Sequence, residues 1–282
     1  MDALAVYKGL DVGTAKPLPA PGRPPVHLVD LAEPGEDFSV ARFQAACGEV
    51  VSDLHSRGVR VVFAGGTGLY HRAVLDGLSL PGRYPDVAAR LEEEAGSPGG
   101  LEHLHARLAE LDPLAASRIT PGNRRRVVRA LEVTLGSGRP FSSYGPGLEA
   151  YPPVAATLVG LKLPRAELDR RLADRLQRQM AEGLIEEVRD LFQSGGELSR
   201  TAAQAIGYRE LIGHLRGEMS LDDALGATLR RLRAFARRQE AWFRRDPRIV
   251  WFDASSPSLV DEVLALLDEA GGRVRPCETR TS

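Results

Sequence analysis

The amino-acid sequence predicts an α/β protein, a parallel sheet packed with helices and interrupted by a helical insertion. Three observations predict it. Short β-branched runs alternate with helix-period segments, as in strands joined by crossover helices. A glycine pair, Gly65–Gly66, closes one such run and opens a helix, the place in parallel sheets where ligands bind. The stretch 83–123 has helical periodicity and no convincing strand. The expected organisation is an α/β core of 1–82 and 124–256, an insertion of 83–123, and a C-terminal helix with a frayed tail over 257–282.

The elements follow in order. Val26–Leu31 reads as a short buried strand, with His27 packed or hydrogen-bonded beside it. Ser39 is a natural N-cap for a helix whose apolar residues recur at helical spacing until Gly58 ends it. The run Val59–Phe63 predicts the next strand, and Leu69–Leu78 the next helix. From Tyr84 to Thr120 the chain reads as helices punctuated by Ser97–Gly100 and Leu111–Pro113. Arg124–Gly138 predicts a helix with Val127, Val128, Leu131 and Leu135 inward and arginines outward, followed by a loop to Pro153. Ala156–Pro164 returns to strand, long helices fill 165–194 and 220–245, and Arg248–Ala254 reads as a last core strand whose Asp253 is structural.

Composition narrows the function classes. At 282 residues, 43% hydrophobic and 27% charged, the chain has ordinary globular usage. No apolar run approaches the roughly 18 residues of a membrane helix. No secretory pattern opens the sequence, so the expected location is the cytoplasm, with no membrane partner. The two cysteines, Cys47 and Cys277, make neither a disulfide framework nor a metal motif. Net charge is −1, yet arginines crowd into Asn123–Val133 and Thr228–Arg248. Two basic stretches on a neutral protein suit phosphate or nucleic acid, and also suit a solvated helix face.

Three stretches could carry chemistry. In Ala64–Tyr70, two glycines let backbone approach a phosphate, and helix amides with the Thr67 hydroxyl can donate to it; a tight turn capped by Thr67 reads the same residues equally well. In Gln204–Glu210, Gly207 presents Tyr208 and Arg209, whose planar guanidinium suits a diphosphate, or is an ordinary surface arginine at a helix break. Ala236–Arg245 places Arg237, Arg238, Arg244 and Arg245 on one helix, with Phe235, Trp242 and Phe243 as an inward stripe in preference to base stackers. His103 and His105 are too close along one helix to chelate together, and Gly13–Pro17 holds a lysine without forming a P-loop.

Taken in order, "DALAVYKGLDVGTAKP", "VHLVDL" with "DFSVARF", "AGGTGLY", "RRRVVRALEV", "AIGYRE" and "ARRQEAWFRR" closely resemble the tRNA dimethylallyltransferases, over Asp2 to about Asp253. The resemblance implies a P-loop NTPase-like parallel sheet with the helical insertion gripping the anticodon stem-loop. It implies transfer of a dimethylallyl group from dimethylallyl diphosphate to the N6 amine of the adenine 3′-adjacent to the anticodon, in tRNAs reading codons that begin with U. By that resemblance Asp2 is the general base and Thr67 donates to the leaving oxygen, so both are catalytic. Gly65, Gly66, Thr67 and Arg209 would bind diphosphate. The tRNA would touch Asp2, Ala3, Leu4, Ala5, Arg125, Arg126, Val127, Val128, Arg129, Gln204, Gly207, Tyr208, Arg209, Arg237, Arg238, Gln239, Trp242 and Arg244. Magnesium (Mg2+) is the expected cofactor, the target base is flipped from its stack, and the protein is expected to act as a monomer.

The sequence departs from the family pattern twice. Ala88 stands where the insertion has an arginine, with Arg90 two residues on as a substitute. The family's first strand and its P-loop, G.T..GKS/T, stand before the aspartate in other members and do not precede Asp2 here. The expectation is therefore a core without that strand and with a weakened grip on diphosphate, explained either by a GTG valine codon read as Met1 or by a real truncation. Two alternatives stay beside the enzyme: a non-catalytic tRNA-binding remnant, and a prenyltransferase of free adenine nucleotides.

Overall fold

The computed structural model describes residues 1–17, 19–145, 147–193 and 198–269. The chain forms two units, Met1–Asp76 with the chain from Pro153 onward, and Gly77–Pro152.

The first unit opens with a chain of turns. Tyr7 pairs with Ala32 in a single parallel bridge, so the strand expected over 26–31 shrinks to that contact. His27, expected beside it, is exposed. Lys16 stitches these turns together: its buried ammonium donates to the Tyr7 carbonyl at 2.8 Å and to Asp30 at 2.6 Å, and pairs with Asp11. The lysine of "GTAKP" is thus a structural tie. Helix α1, Val40–Ser56, starts where Ser39 accepts from the Arg42 amide, and the chain leaves it through Gly58 at φ +69°. Val59–Phe63, expected as a strand, forms no ladder, because no described strand lies beside it; Val62 is 87% exposed. Helix α2, Gly68–Leu75, follows.

The second unit is helical. It holds α3 (Pro85–Gly96), α4 (Gly100–Leu111), α5 (Pro113–Arg118) and α6 (Arg124–Ser137) around a core of Leu91, Leu104, Leu108, Val127 and Leu131. Asp112 accepts from Ala115 N at 3.0 Å and Ser142 N at 2.7 Å, and Asn123 caps α6. The unit reaches beyond the expected 83–123 at both ends because α6 contributes Val127, Val128, Ala130 and Leu131 to its core. Of the four inward residues expected on α6, Leu135 is instead 37% exposed.

The chain then returns to the first unit with strand β1 (Leu158–Lys162), helices α7 (Arg165–Ala181), α8 (Leu184–Gln193), α9 (Tyr208–Leu215) and α10 (Leu221–Phe243), strand β2 (Ile249–Asp253) and helix α11 (Leu259–Glu269). Strands β1 and β2 pair in parallel, so the sheet expected to have several strands is, among the described residues, a two-stranded one. Asp253 closes β2 by accepting from Ser255 N and Oγ, the structural role expected of it. Phe43, Tyr70, Leu184, Val188, Tyr208 and Leu211 fill the core, with Tyr70 stacked 4.3 Å from Phe43. Arg248 bonds Asp76 and Asp246 at 2.6 Å each, and Arg72 also pairs with Asp76, so charges fasten the end of α2 to the start of β2. Residue 194, the tail expected to fray from 271 and Cys277 lie outside the described residues. No described helix is long and apolar enough to cross a membrane.

Candidate active site

Three segments of the first unit meet at the Ala64–Gly68 loop. The first is the N-terminal turn. Asp2 Oδ1 accepts from Leu4 N at 2.8 Å and Ala5 N at 3.3 Å, an Asx-type turn that fixes the carboxylate from its own backbone. The residue is exposed, and its other oxygen has no hydrogen bond among the described residues, which leaves it open to take a proton.

The second segment is the loop itself. Ala3 N donates to Thr67 Oγ1 at 3.1 Å. Thr67 stands at the N-cap of α2, but its side chain makes no capping bond. The plain capping reading of Thr67 therefore fails. Its oxygen is already an acceptor, so its proton is free to donate outward. Gly65 takes φ +145°, a backbone shape that side chains rarely adopt, and a Cβ there would collide with the Met1 carbonyl. Helix α2 starts beside these amides, which gives the loop the positive end of a helix dipole.

The third segment is the end of α10. Gln239 Nε2 donates to the Gly66 carbonyl at 2.9 Å, and a Cβ on Gly66 would strike that amide. A Cβ on Gly68 would strike the Trp242 indole. Phe243 meets His71 edge-on at 5.6 Å, and His71 Nε2 bonds the Gly65 carbonyl at 3.1 Å. Burial lowers the His71 pKa, so the neutral ring is favoured. The "GGTG" spacing is thus a close-approach surface for Met1, Gln239 and Trp242. Trp242 and Phe243 are half-buried as the inward stripe requires, while Phe235 is 42% exposed.

The remaining expected residues divide by how they are used. Arg209 is exposed at the second position of α9 with no ion pair among the described residues. Gly207 precedes that helix at φ +98°, and its N–H donates to Glu210, which also holds Arg231. The Gln204 carbonyl accepts from Arg231. Arg237 and Arg238 are exposed and unpaired among the described residues, whereas Arg244 pairs with Glu240 at 2.6 Å. In the second unit, Arg125 and Arg126 are likewise exposed and unpaired, but Arg129 is spent on the Pro81 and Gly82 carbonyls and on Glu132, and Arg124 on Glu92. Val127 and Val128, expected to line RNA, are buried in that unit's core, as Ala5 and Tyr208 are in the first. Their side chains pack against protein in this structure. Arg90 is exposed and bonds the Asp86 carbonyl.

Sequence reasoning missed His71, whose ring meets Phe243 of α10, and Glu187, whose partners lie far from it in the chain. The described residues hold no cluster of three or more His, Cys, Asp or Glu side chains able to ligate a metal. The donors present do not fit a resident magnesium held by protein alone; such ions are commonly bound through substrate phosphates with one or two carboxylates.

Known proteins resemble this chain along nearly its whole length. The family described as IPP transferase matches residues 5–246. A tRNA dimethylallyltransferase of Thermobifida fusca is 46% identical over 270 residues, covering 95% of this chain and 83% of that protein. One of Kineococcus radiotolerans is 46% identical over 274 residues, covering 95% and 86%. Among solved structures, the full-length tRNA isopentenylpyrophosphate transferase of Bacillus halodurans has 34% identity and a TM-score of 0.67, covering 95% of this chain and 86% of that one. A eukaryotic dimethylallyltransferase crystallised while acting on tRNA has a TM-score of 0.77 at 23% identity, a likeness of fold, covering 98% and 73%.

Proposed function

The chain belongs to the IPP transferase family, and from that premise we propose that it is a tRNA dimethylallyltransferase. The reaction joins C1 of the dimethylallyl group to the N6 amine of the adenine 3′-adjacent to the anticodon, in tRNAs that read codons beginning with U. The allylic C–O bond breaks and its electron pair leaves with diphosphate. One observation carries the assignment of roles: the Ala3 N–H to Thr67 Oγ1 bond sets the Asp2 turn directly against the glycine loop. A base and a leaving-group donor stand side by side.

Asp2 takes the proton released as the amine attacks carbon. The Thr67 hydroxyl, its oxygen occupied by Ala3, donates to the oxygen on which charge grows, and α2 adds its amides and dipole. Arg209 pairs with the diphosphate as a planar fork. A divalent metal travelling with the diphosphate would neutralise part of its charge. Exposed Arg237 and Arg238 meet RNA phosphates, and Trp242 and Gln239 back the loop that faces the flipped base. The second unit offers Arg125 and Arg126 to the anticodon stem. We place the protein in the cytoplasm, acting as a monomer on an α/β core of the P-loop NTPase type.

The test is transfer of a labelled dimethylallyl group to tRNA by the full-length protein and by Asp2→Asn. Asparagine keeps the Oδ1 acceptor of the turn, so tRNA binding should persist while turnover falls about 10²–10⁴-fold. Wild-type turnover in that variant would remove Asp2 from the mechanism.

A further inference from the structure

A carboxylate outside the roles assigned above gathers four donors. Glu187, on α8, accepts from Asp11 N at 2.8 Å and Val12 N at 2.7 Å through Oε2, and from Gly13 N at 3.1 Å and the Tyr208 hydroxyl at 2.5 Å through Oε1. Three successive backbone N–H groups converging on one point form a nest that seeks an anion, and here the anion is a side chain of the same protein. From the other side, Gln179 on α7 donates to the Val12 and Gly13 carbonyls at 2.7 and 3.0 Å. The Tyr208 ring lies so close over Gly13 that a Cβ there would overlap it. Three helices therefore converge on one short turn, and Tyr208 is the residue immediately before Arg209.

We propose that Glu187 is a positioning residue for prenyl transfer: it locks the Asp11–Gly13 turn to the first turn of α9 and thereby sets the direction of Arg209. The inference rests on the reading of Arg209 as a diphosphate ligand. The chain on one side of this lock runs back through buried Tyr7 and Val6 to the Asp2 turn, and the chain on the other side is Arg209 itself. One carboxylate thus couples the segment carrying the base to the arginine that holds the leaving group. Glu210 and Arg231 fix the opposite side of the same α9 start through Gly207 N and the Gln204 carbonyl. Burial, and then the bond to Glu187, raise the Tyr208 pKa, so its hydroxyl stays a donor throughout the working pH range.

Glu187→Gln leaves one acceptor oxygen where two served, and Tyr208→Phe removes one donor without touching the backbone amides. The proposal expects three results in the full-length protein. Amide hydrogen exchange at Asp11, Val12 and Gly13 should speed up in Glu187→Gln. The kcat/KM for dimethylallyl diphosphate should fall about 10–100-fold in that variant, because a reacting group misplaced by about 1 Å can cost 10²-fold. Binding of tRNA, measured by filter retention, should not change. Tyr208→Phe should fall less, and the double variant should be no slower than Glu187→Gln alone, since both act through one lock. A lock that is merely structural lowers the melting temperature of Tyr208→Phe and leaves its kcat/KM for dimethylallyl diphosphate at the wild-type value; that result overturns the proposal even if Glu187→Gln does not fold. Faster exchange with unchanged kcat/KM overturns it too. A wild-type protein that fails to transfer the group, with the amides protected as described, would instead point to failure of the enzymatic reading.

Discussion

Replacing Thr67 by valine separates its two duties with almost no change of shape. The structure gives the first duty a small value. The bond from Ala3 N to Thr67 Oγ1 is neutral, 3.1 Å long and only partly buried, so its loss should cost about 0.5–1.5 kcal/mol of stability. The second duty, as proposed above, is donation to the departing oxygen. A single donor aimed at developing negative charge is typically worth about 2.7–4 kcal/mol, or about 10²–10³ in kcat. Thr67→Val should therefore lower the thermal midpoint by a few degrees at most and slow transfer by two to three orders of magnitude, while Thr67→Ser restores both. The assay is single-turnover transfer of a labelled dimethylallyl group with saturating tRNA, alongside thermal unfolding of each variant. If Thr67→Val melts early yet turns over at the wild-type rate, the hydroxyl serves only the Asp2 turn and the leaving-group role is wrong.

Two further outcomes follow from the same geometry. Replacing Arg125 and Arg126 together by alanine should weaken tRNA binding and flatten the slope of log affinity against log salt by about 0.9 for each duplex phosphate no longer neutralised, with no loss of stability; replacing Arg124 or Arg129 should instead destabilise the second unit, since those side chains hold Glu92, Glu132 and the Pro81–Gly82 backbone. His71 has its pKa lowered by burial, so below its ordinary value of 6.5 the unfolded chain takes up protons that the folded chain refuses. Stability should then be full above that pH and decline as the pH drops toward the lowered folded pKa, and His71→Phe should flatten this part of the thermal pH profile; an unaltered profile would show that this ring is not what titrates.

Short-range physics made much of this protein readable from its residues. Ser39 and Asn123 cap helices because their side chains reach amides only three residues on, and Gly58 and Gly138 end helices because their backbones accept positive φ. The motif order from "DALAVYKG" to "ARRQEAWFRR" carried the family, since each motif is a contiguous string. Strands were read less well. Val59–Phe63 has the β-branched composition of a strand, but a strand also needs a neighbour, and composition cannot supply one.

The candidate site shows the same division. The family resemblance pointed to Asp2 and residue types to Thr67 and the arginine runs, and nothing local distinguished Arg125 and Arg126, which have no partner among the described residues, from Arg124 and Arg129, which fold the second unit. Only the tertiary structure turned Thr67 from a capping residue into an acceptor for Ala3, across 64 residues of chain. Only it brought Glu187 to the amides of Asp11, Val12 and Gly13, across 174 to 176 residues. Caps and helical periods are decided by neighbours within a turn or two. The partner of a side chain is decided by whichever distant segment packing delivers to it, and a linear pattern does not contain that information.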